Sequence, residues 1–178
     1  MNVLAGGFAR DNMARILTTS AEFRRRIVTS YYQSFLGRAP DAATLDAYVG
    51  AIDGGWPFEY VATILLGSDE FYAAHGATPG SYVDTLYRSV LGLAPDASGR
   101  AFWVGQLNSG TDRYSVALAF LTSGVAHQNV VSLAYSWFLH RSPDAAGMSF
   151  WAGQLDSGLR QEYLYAFFVG SSDYWAAS

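Results

Sequence analysis

Gly7, Gly55, Gly110 and Gly158 each stand thirteen residues ahead of a serine: Ser20, Ser68, Ser123 and Ser171. A chain that repeats itself four times in 178 residues is confined to architectures in which one supersecondary unit buries its apolar face against copies of itself. Such an arrangement leaves loops and end surfaces for binding, which favours an interaction or assembly protein over an enzyme.

Three full copies align without gaps. They open on YYQSFLGRAPD from Tyr31, TLYRSVLGLAPD from Thr85 and LAYSWFLHRSPD from Leu133, each the end of a helix. Asp41, Asp96 and Asp144 then follow Pro40, Pro95 and Pro143. The proline stops the first helix, and the aspartate caps the next by accepting from an orphan backbone N–H. Within that second helix Tyr48, Trp103 and Trp151 stand four residues ahead of Ile52, Leu107 and Leu155, the spacing of one buried stripe, so the aromatics are assigned to the core. Gly50, Gly105 and Gly153 sit inside the same helix at a cost of about 1 kcal/mol relative to alanine, and close approach of another helix is the reason expected.

The glycines at 55, 110 and 158 fit the left-handed position that ends a helix. Six, nine and ten residues beyond them the third helix carries Val61, Ile64 and Leu65, then Val116, Ala119 and Phe120, then Leu164, Phe167 and Phe168. A partial copy shows Met13, Ile16 and Leu17. The recurrent serine reads as a second cap, opening a helix that runs on into the next copy. The terminating glycines are spaced 48, 55 and 48 residues apart, and the surplus falls in YAAHGATPGSY, where Gly76, Pro79 and Gly80 interrupt the linking helix. The resulting division is 1–30, a partial copy with its linking helix; 31–75, the first full copy; 76–84, a breaker joining two rigid halves or, as a tightly packed loop, leaving a single compact body; 85–128, the second copy; and 129–178, the third. The fold class expected is all-α, tandem three-helix repeats in a helical array or compact bundle, with about ten helical segments and no sustained strand alternation.

Composition narrows the chemistry. There are no cysteines, which excludes disulfides, thiolate metal sites and cysteine nucleophiles. Every one of the eleven basic residues is arginine and the net charge is −4, which argues against a surface that tracks nucleic-acid phosphates. No apolar run approaches the ~20 residues that span a bilayer, and MNVLAGGFARDNMARIL lacks the unbroken apolar core of a signal peptide. His75, His127 and His140 fall at non-equivalent places, so no catalytic constellation forms. The acids serve mainly as caps and no metal-binding motif is present. The chain is therefore read as non-catalytic, with no cofactor and no metal.

LGRAPD at Leu36–Asp41, with GRAFWVGQL from Gly99 and GMSFWAGQL from Gly147, resembles the bacterial domain of unknown function 4214, and is similar to phycobilisome linker domains. The resemblance implies a helical assembly module, found mainly within secreted or cell-surface proteins, with no settled activity. Three departures stand out: the first copy has Thr44 and Tyr48 in place of the motif glycine and tryptophan, the second has Leu93 in place of the motif arginine, and its serine is followed by Gly124-Val-Ala126. Losses of this kind mark the motif as structural. Arg38 and Arg141 are expected to pair with nearby Asp41 and Asp144 or with helix carbonyls.

Two functions follow from different premises. One is assembly through protein contacts, with itself or a neighbouring domain, using the apolar ends Phe8 and Met13, and Tyr174 and Trp175, to form a homo-oligomer. The alternative is an extracellular glycan stacked on aromatics outside the repeat stripes: Trp56, Tyr72, Tyr82 and Trp175.

Overall fold

The computed structural model describes residues 20–177, with the side chains of 175–177 left aside. Among these residues every regular element is helical: α1 (Ala21–Tyr31), α2 (Ala42–Asp53), α3 (Phe58–Gly67), α4 (Asp69–Ala74), α5 (Pro79–Leu86), α6 (Ala97–Asn108), α7 (Arg113–Leu121), α8 (Gly124–Leu139), α9 (Ala145–Asp156), α10 (Gln161–Gly170) and α11 (Ser172–Ala177). Helices α1 and α5 each continue through a π-helical turn, Tyr32–Leu36 and Tyr87–Leu91. Phe8, Met13, Ile16 and Leu17 lie outside the described residues.

The caps form as their local chemistry requires. Asp41, Asp96 and Asp144 accept from the amides of Thr44, Gly99 and Gly147 at 2.9, 2.8 and 2.7 Å. All four serines cap as well, from Phe23, Phe71, Ala126 and Tyr174 at 3.1, 3.1, 3.3 and 3.3 Å. Asp112 caps α7 in the same way through the Ser115 amide, and hydrogen bonds from Thr44 to Asp41, from Ser98 and Gly99 to Asp96, and from Ser115 to Asp112 hold these three carboxyls below the usual carboxylate range. Gly55, Gly110 and Gly158 turn the chain at φ 106°, 98° and 93°. His140 takes the position of Gly37 and Gly92 and, at φ 49°, is a side chain held where glycine is favoured.

The helices group into two compact units, residues 27–126 and the segment up to Arg26 with His127 onward. The breaker at 76–84 lies inside the 27–126 unit. Gly76 and Ala77 do break the linking helix with positive φ, but Thr78 and Ser81 immediately cap α5, with Pro79 in its first turn. Across the break, Phe71 meets Tyr82 edge-on at 5.9 Å. Both are fully buried with Leu66, Val83, Leu86, Val116 and Phe120 in one core. The surplus residues are packed rather than hinged.

In the 27–126 unit, α3 lies along α7 and α5 along α6. The third-helix stripe is rotated by one residue from the sequence expectation. Val61, Ala62, Leu65 and Leu66 are buried, as are Val116, Ala117 and Phe120, and Leu164, Tyr165, Phe168 and Val169. Ile64 and Ala119 are half-buried, and Phe167 faces solvent.

Candidate interaction surface

Three contacts explain the repeated letters. The first joins the first, second and third helices of a copy through a tyrosine, a phenylalanine and the motif tryptophan. Tyr87 meets Phe120 at 5.0 Å and Trp103 meets Phe120 at 5.2 Å; Tyr135 meets Phe168 at 4.9 Å and Trp151 meets Phe168 at 5.5 Å. Trp103 and Trp151 are half-buried, flanking the core rather than filling it.

The second contact is a close approach at glycine, at positions other than those expected. A Cβ at Gly99 or Gly147 would collide with the hydroxyl of Tyr87 or Tyr135. Gly50, Gly105 and Gly153, by contrast, have open space where a Cβ would stand, so no neighbouring helix requires them. The first copy carries Thr44 at the critical position, and there the Tyr32 ring meets Tyr48 edge-on at 6.2 Å. Burial pushes the Tyr48 phenol up to about 12, with Tyr32 contributing.

The third contact is a clamp spanning most of a copy. Arg38 donates through Nε and Nη2 to both carboxylate oxygens of Glu70 at 2.6 and 2.8 Å, with its guanidinium 5.1 Å from the Tyr32 ring centre. Arg141 reaches Asp173 at 3.3 Å and lies 4.9 Å from the Tyr135 ring centre. The acids are Glu70 and Asp173, each 32 residues on, and not the capping Asp41 and Asp144, which accept from the first turn of their own helices. Leu93 and Val125 occupy the same two positions in the second copy, so arginine and acid are lost together.

Of the aromatics chosen from sequence, Tyr82 is fully buried, its hydroxyl donating to the Arg113 carbonyl at 2.9 Å, and is no platform. Tyr72 is half-buried, with the Arg113 guanidinium over one face at 4.5 Å. Trp56 is 41% exposed and meets Tyr60 edge-on at 6.4 Å. The side chain of Trp175 lies outside those described. Tyr174 folds back to within 6.5 Å of Phe138 and is half-buried, so it caps its own unit.

Tyr72 and Tyr82 meet edge-on at 5.8 Å, but with Tyr82 buried they form no exposed pair; the exposed aromatics gather elsewhere. On the unit from His127, Phe150 is 57% exposed and Phe167 60%, with Trp151 between them at 5.0 and 4.7 Å. Tyr163, 62% exposed, is one turn before Phe167 on α10. The signal available in sequence was the rotation of the stripe, since Tyr165 takes the buried place given to Phe167. His127 is buried with Nδ1 2.5 Å from Asp156, while His75 binds the Phe71 carbonyl at 2.7 Å. No group of three or more potential metal-ligating side chains is gathered among the described residues.

The model of the family described as Domain of unknown function (DUF4214) matches residues 62–124 and again 121–174. The chain belongs to the DUF4214 family. The first DUF4214 match runs from α3 to the capping serine after α7, and so spans the pair of third helices that pack together. Thr44 and Tyr48, at the glycine and tryptophan positions of the first copy, precede both matches. No curated protein and no solved structure matches the chain. Among the described residues no single helix is long and apolar enough to cross a membrane.

Proposed function

We propose that this chain is a non-catalytic assembly module that binds protein, another copy of itself or a neighbouring domain, through the aromatic ridge of Phe150, Trp151, Tyr163 and Phe167. The observation that carries the reading is the exposure of both Phe150 and Phe167 around one tryptophan; the motif phenylalanine of the second copy, Phe102, is likewise 56% exposed but stands beside Trp103, whose other partner Phe120 is buried. Full burial of such a side chain is worth about 1.5–3 kcal/mol, so leaving two exposed beside each other forgoes stability that a partner recovers. Phenylalanine, tryptophan and tyrosine are the residues enriched at interface centres. A secreted or cell-surface setting belongs to the same proposal and rests on the family resemblance.

Sedimentation of the native chain and of Phe150→Ser with Phe167→Ser, across a wide concentration range, tests the self-association form. Reversible association in the native protein, lost in the doubly substituted one with helicity unchanged, is expected. A native monomer, or association indifferent to the substitutions, removes it. The glycan alternative loses Tyr82 to burial and one face of Tyr72 to Arg113. Trp56 and Tyr60 stand at 74° to each other and offer no shared flat platform.

A further inference from the structure

A cleft of about 350 Å³ in the 27–126 unit is lined by Tyr72, Pro79, Leu107, Thr111, Asp112, Arg113 and Tyr114, a volume within the ~300–1,000 Å³ range of small-molecule sites. We infer that this cleft binds a neutral sugar ring, with Tyr114 as the stacking platform and Asp112, Thr111 and Arg113 engaging its hydroxyls. The proposal is independent of the docking ridge and shares no residue with it.

Tyr114 is 47% exposed at the start of α7. Its ring is seated against Gly67 at the end of α3, where an added Cβ would collide with Cγ, Cδ1 and Cε1. Glycine there leaves the room in which the ring lies against the α3 backbone, and the supported aromatic remains accessible. A half-exposed aromatic with its back fixed offers a π surface to the C–H groups of a sugar, and the phenol supplies a donor and acceptor at the rim.

The polar lining suits hydroxyls rather than charge. Arg113 is anchored through Nε to the Gly67 carbonyl at 3.1 Å and through Nη2 to Asp69, which offsets its charge and fixes the guanidinium plane. Asp112 holds the Ser115 amide at 2.9 Å and its hydroxyl at 2.7 Å, and each of its oxygens keeps a further lone pair. Thr111 donates to Gln106 at 3.2 Å and retains acceptor capacity. The set contains one cation already paired and one carboxylate at the start of α7. An anionic ligand gains nothing there, whereas a ring with adjacent hydroxyls finds fixed donors and acceptors beside an aromatic face.

The test is titration of the isotopically labelled chain with maltotriose, cellotriose and chitotriose, following backbone amides, with tetramethylammonium as a control. Shifts at Tyr72 and Thr111–Tyr114 with at least one sugar are expected, at about millimolar affinity, weakened about tenfold or more by Tyr114→Ala and not by Trp56→Ala. Asp112→Asn keeps a competent cap and weakens binding without unfolding, which covers the case in which Tyr114→Ala disturbs α7. Absence of shifts with all three sugars, shifts with tetramethylammonium alone, or undiminished binding by both cleft variants overturns the proposal.

Discussion

The first copy and the two that follow it solve the same packing problem with different residues. In the second and third, glycine admits the tyrosine hydroxyl beside a tryptophan-bearing helix. In the first, Thr44 occupies that place and the Tyr32 ring meets Tyr48 edge-on. At the clamp the grouping changes: the first and third copies carry Arg38–Glu70 and Arg141–Asp173, while the second carries Leu93 and Val125. Motif positions are thus exchanged in contacting or equivalent pairs. That is the behaviour of residues that serve packing, not of residues that must touch a ligand.

The sharpest way to break the comparison is at the glycine. Gly99→Ala places a Cβ against the Tyr87 hydroxyl, and overpacking of this sort costs about 1–3 kcal/mol. Tyr87→Phe should recover much of the loss when combined with it, a coupling read from a double-mutant cycle of denaturant midpoints. Equal costs with and without the hydroxyl would show that the tyrosine is not what the glycine accommodates. For the tryptophans, half-burial sets the expectation below the ~3–5 kcal/mol of a fully buried aromatic, and Trp103→Ala and Trp151→Ala should each cost about 2–3 kcal/mol.

Smaller effects sharpen it from the other side. Tyr48→Phe keeps the edge-on ring contact with Tyr32 and removes only a half-buried hydroxyl, so its cost should not exceed about 0.5–1.5 kcal/mol, the net worth of a hydrogen bond. It should also flatten the alkaline limb. The folded state holds Tyr48 neutral to about pH 12, whereas the unfolded phenol ionises near 10, so its contribution is lost as pH rises through that interval. Gly153→Ala and Gly105→Ala meet open space and should stabilise by about 0.5–1 kcal/mol through helix propensity. A loss at either position would restore the close helix approach inferred from sequence.

What was legible in sequence is what acts over three or four residues. Asp41 with Thr44, Ser68 with Phe71, and the positive-φ glycines all follow from the chemistry of helix ends, and the structure forms each of them. Contacts across a whole copy were not legible one residue at a time. Glu70 opens a helix and reads as a dipole partner until Arg38 reaches it from 32 residues away. The joint replacement by Leu93 and Val125 was the available signal. Phe167 was placed inward because a three-residue stripe fixes a helical face only to within one position, about 100° of rotation. The cleft residue Tyr114 carried no repeat signal, since Glu59 and Glu162 hold the equivalent places.

The last prediction concerns acid. The Arg38 guanidinium holds the Glu70 carboxyl below its ordinary value. A carboxylate depressed in the folded state contributes stability above its unfolded value, and that contribution disappears as pH falls through the folded one. Both partners are about half exposed, so solvent and salt screen the interaction and the effect on the midpoint of unfolding is small. It is nevertheless separable. Glu70→Gln should flatten part of the limb below about pH 4.5, and added salt should narrow the gap between variant and native protein. Arg38→Leu with Glu70→Val transplants the second copy's residues and should lose both dependences while leaving helicity intact, because the second copy folds without the pair. Carboxyl titration of Glu70 by NMR, in the native chain and in Arg38→Leu, is the direct measurement. An unchanged titration on removing the arginine would mean that the clamp is geometry without energetic coupling, and the likeness between the first and third copies would then rest on their packing of Tyr32 and Tyr135 alone.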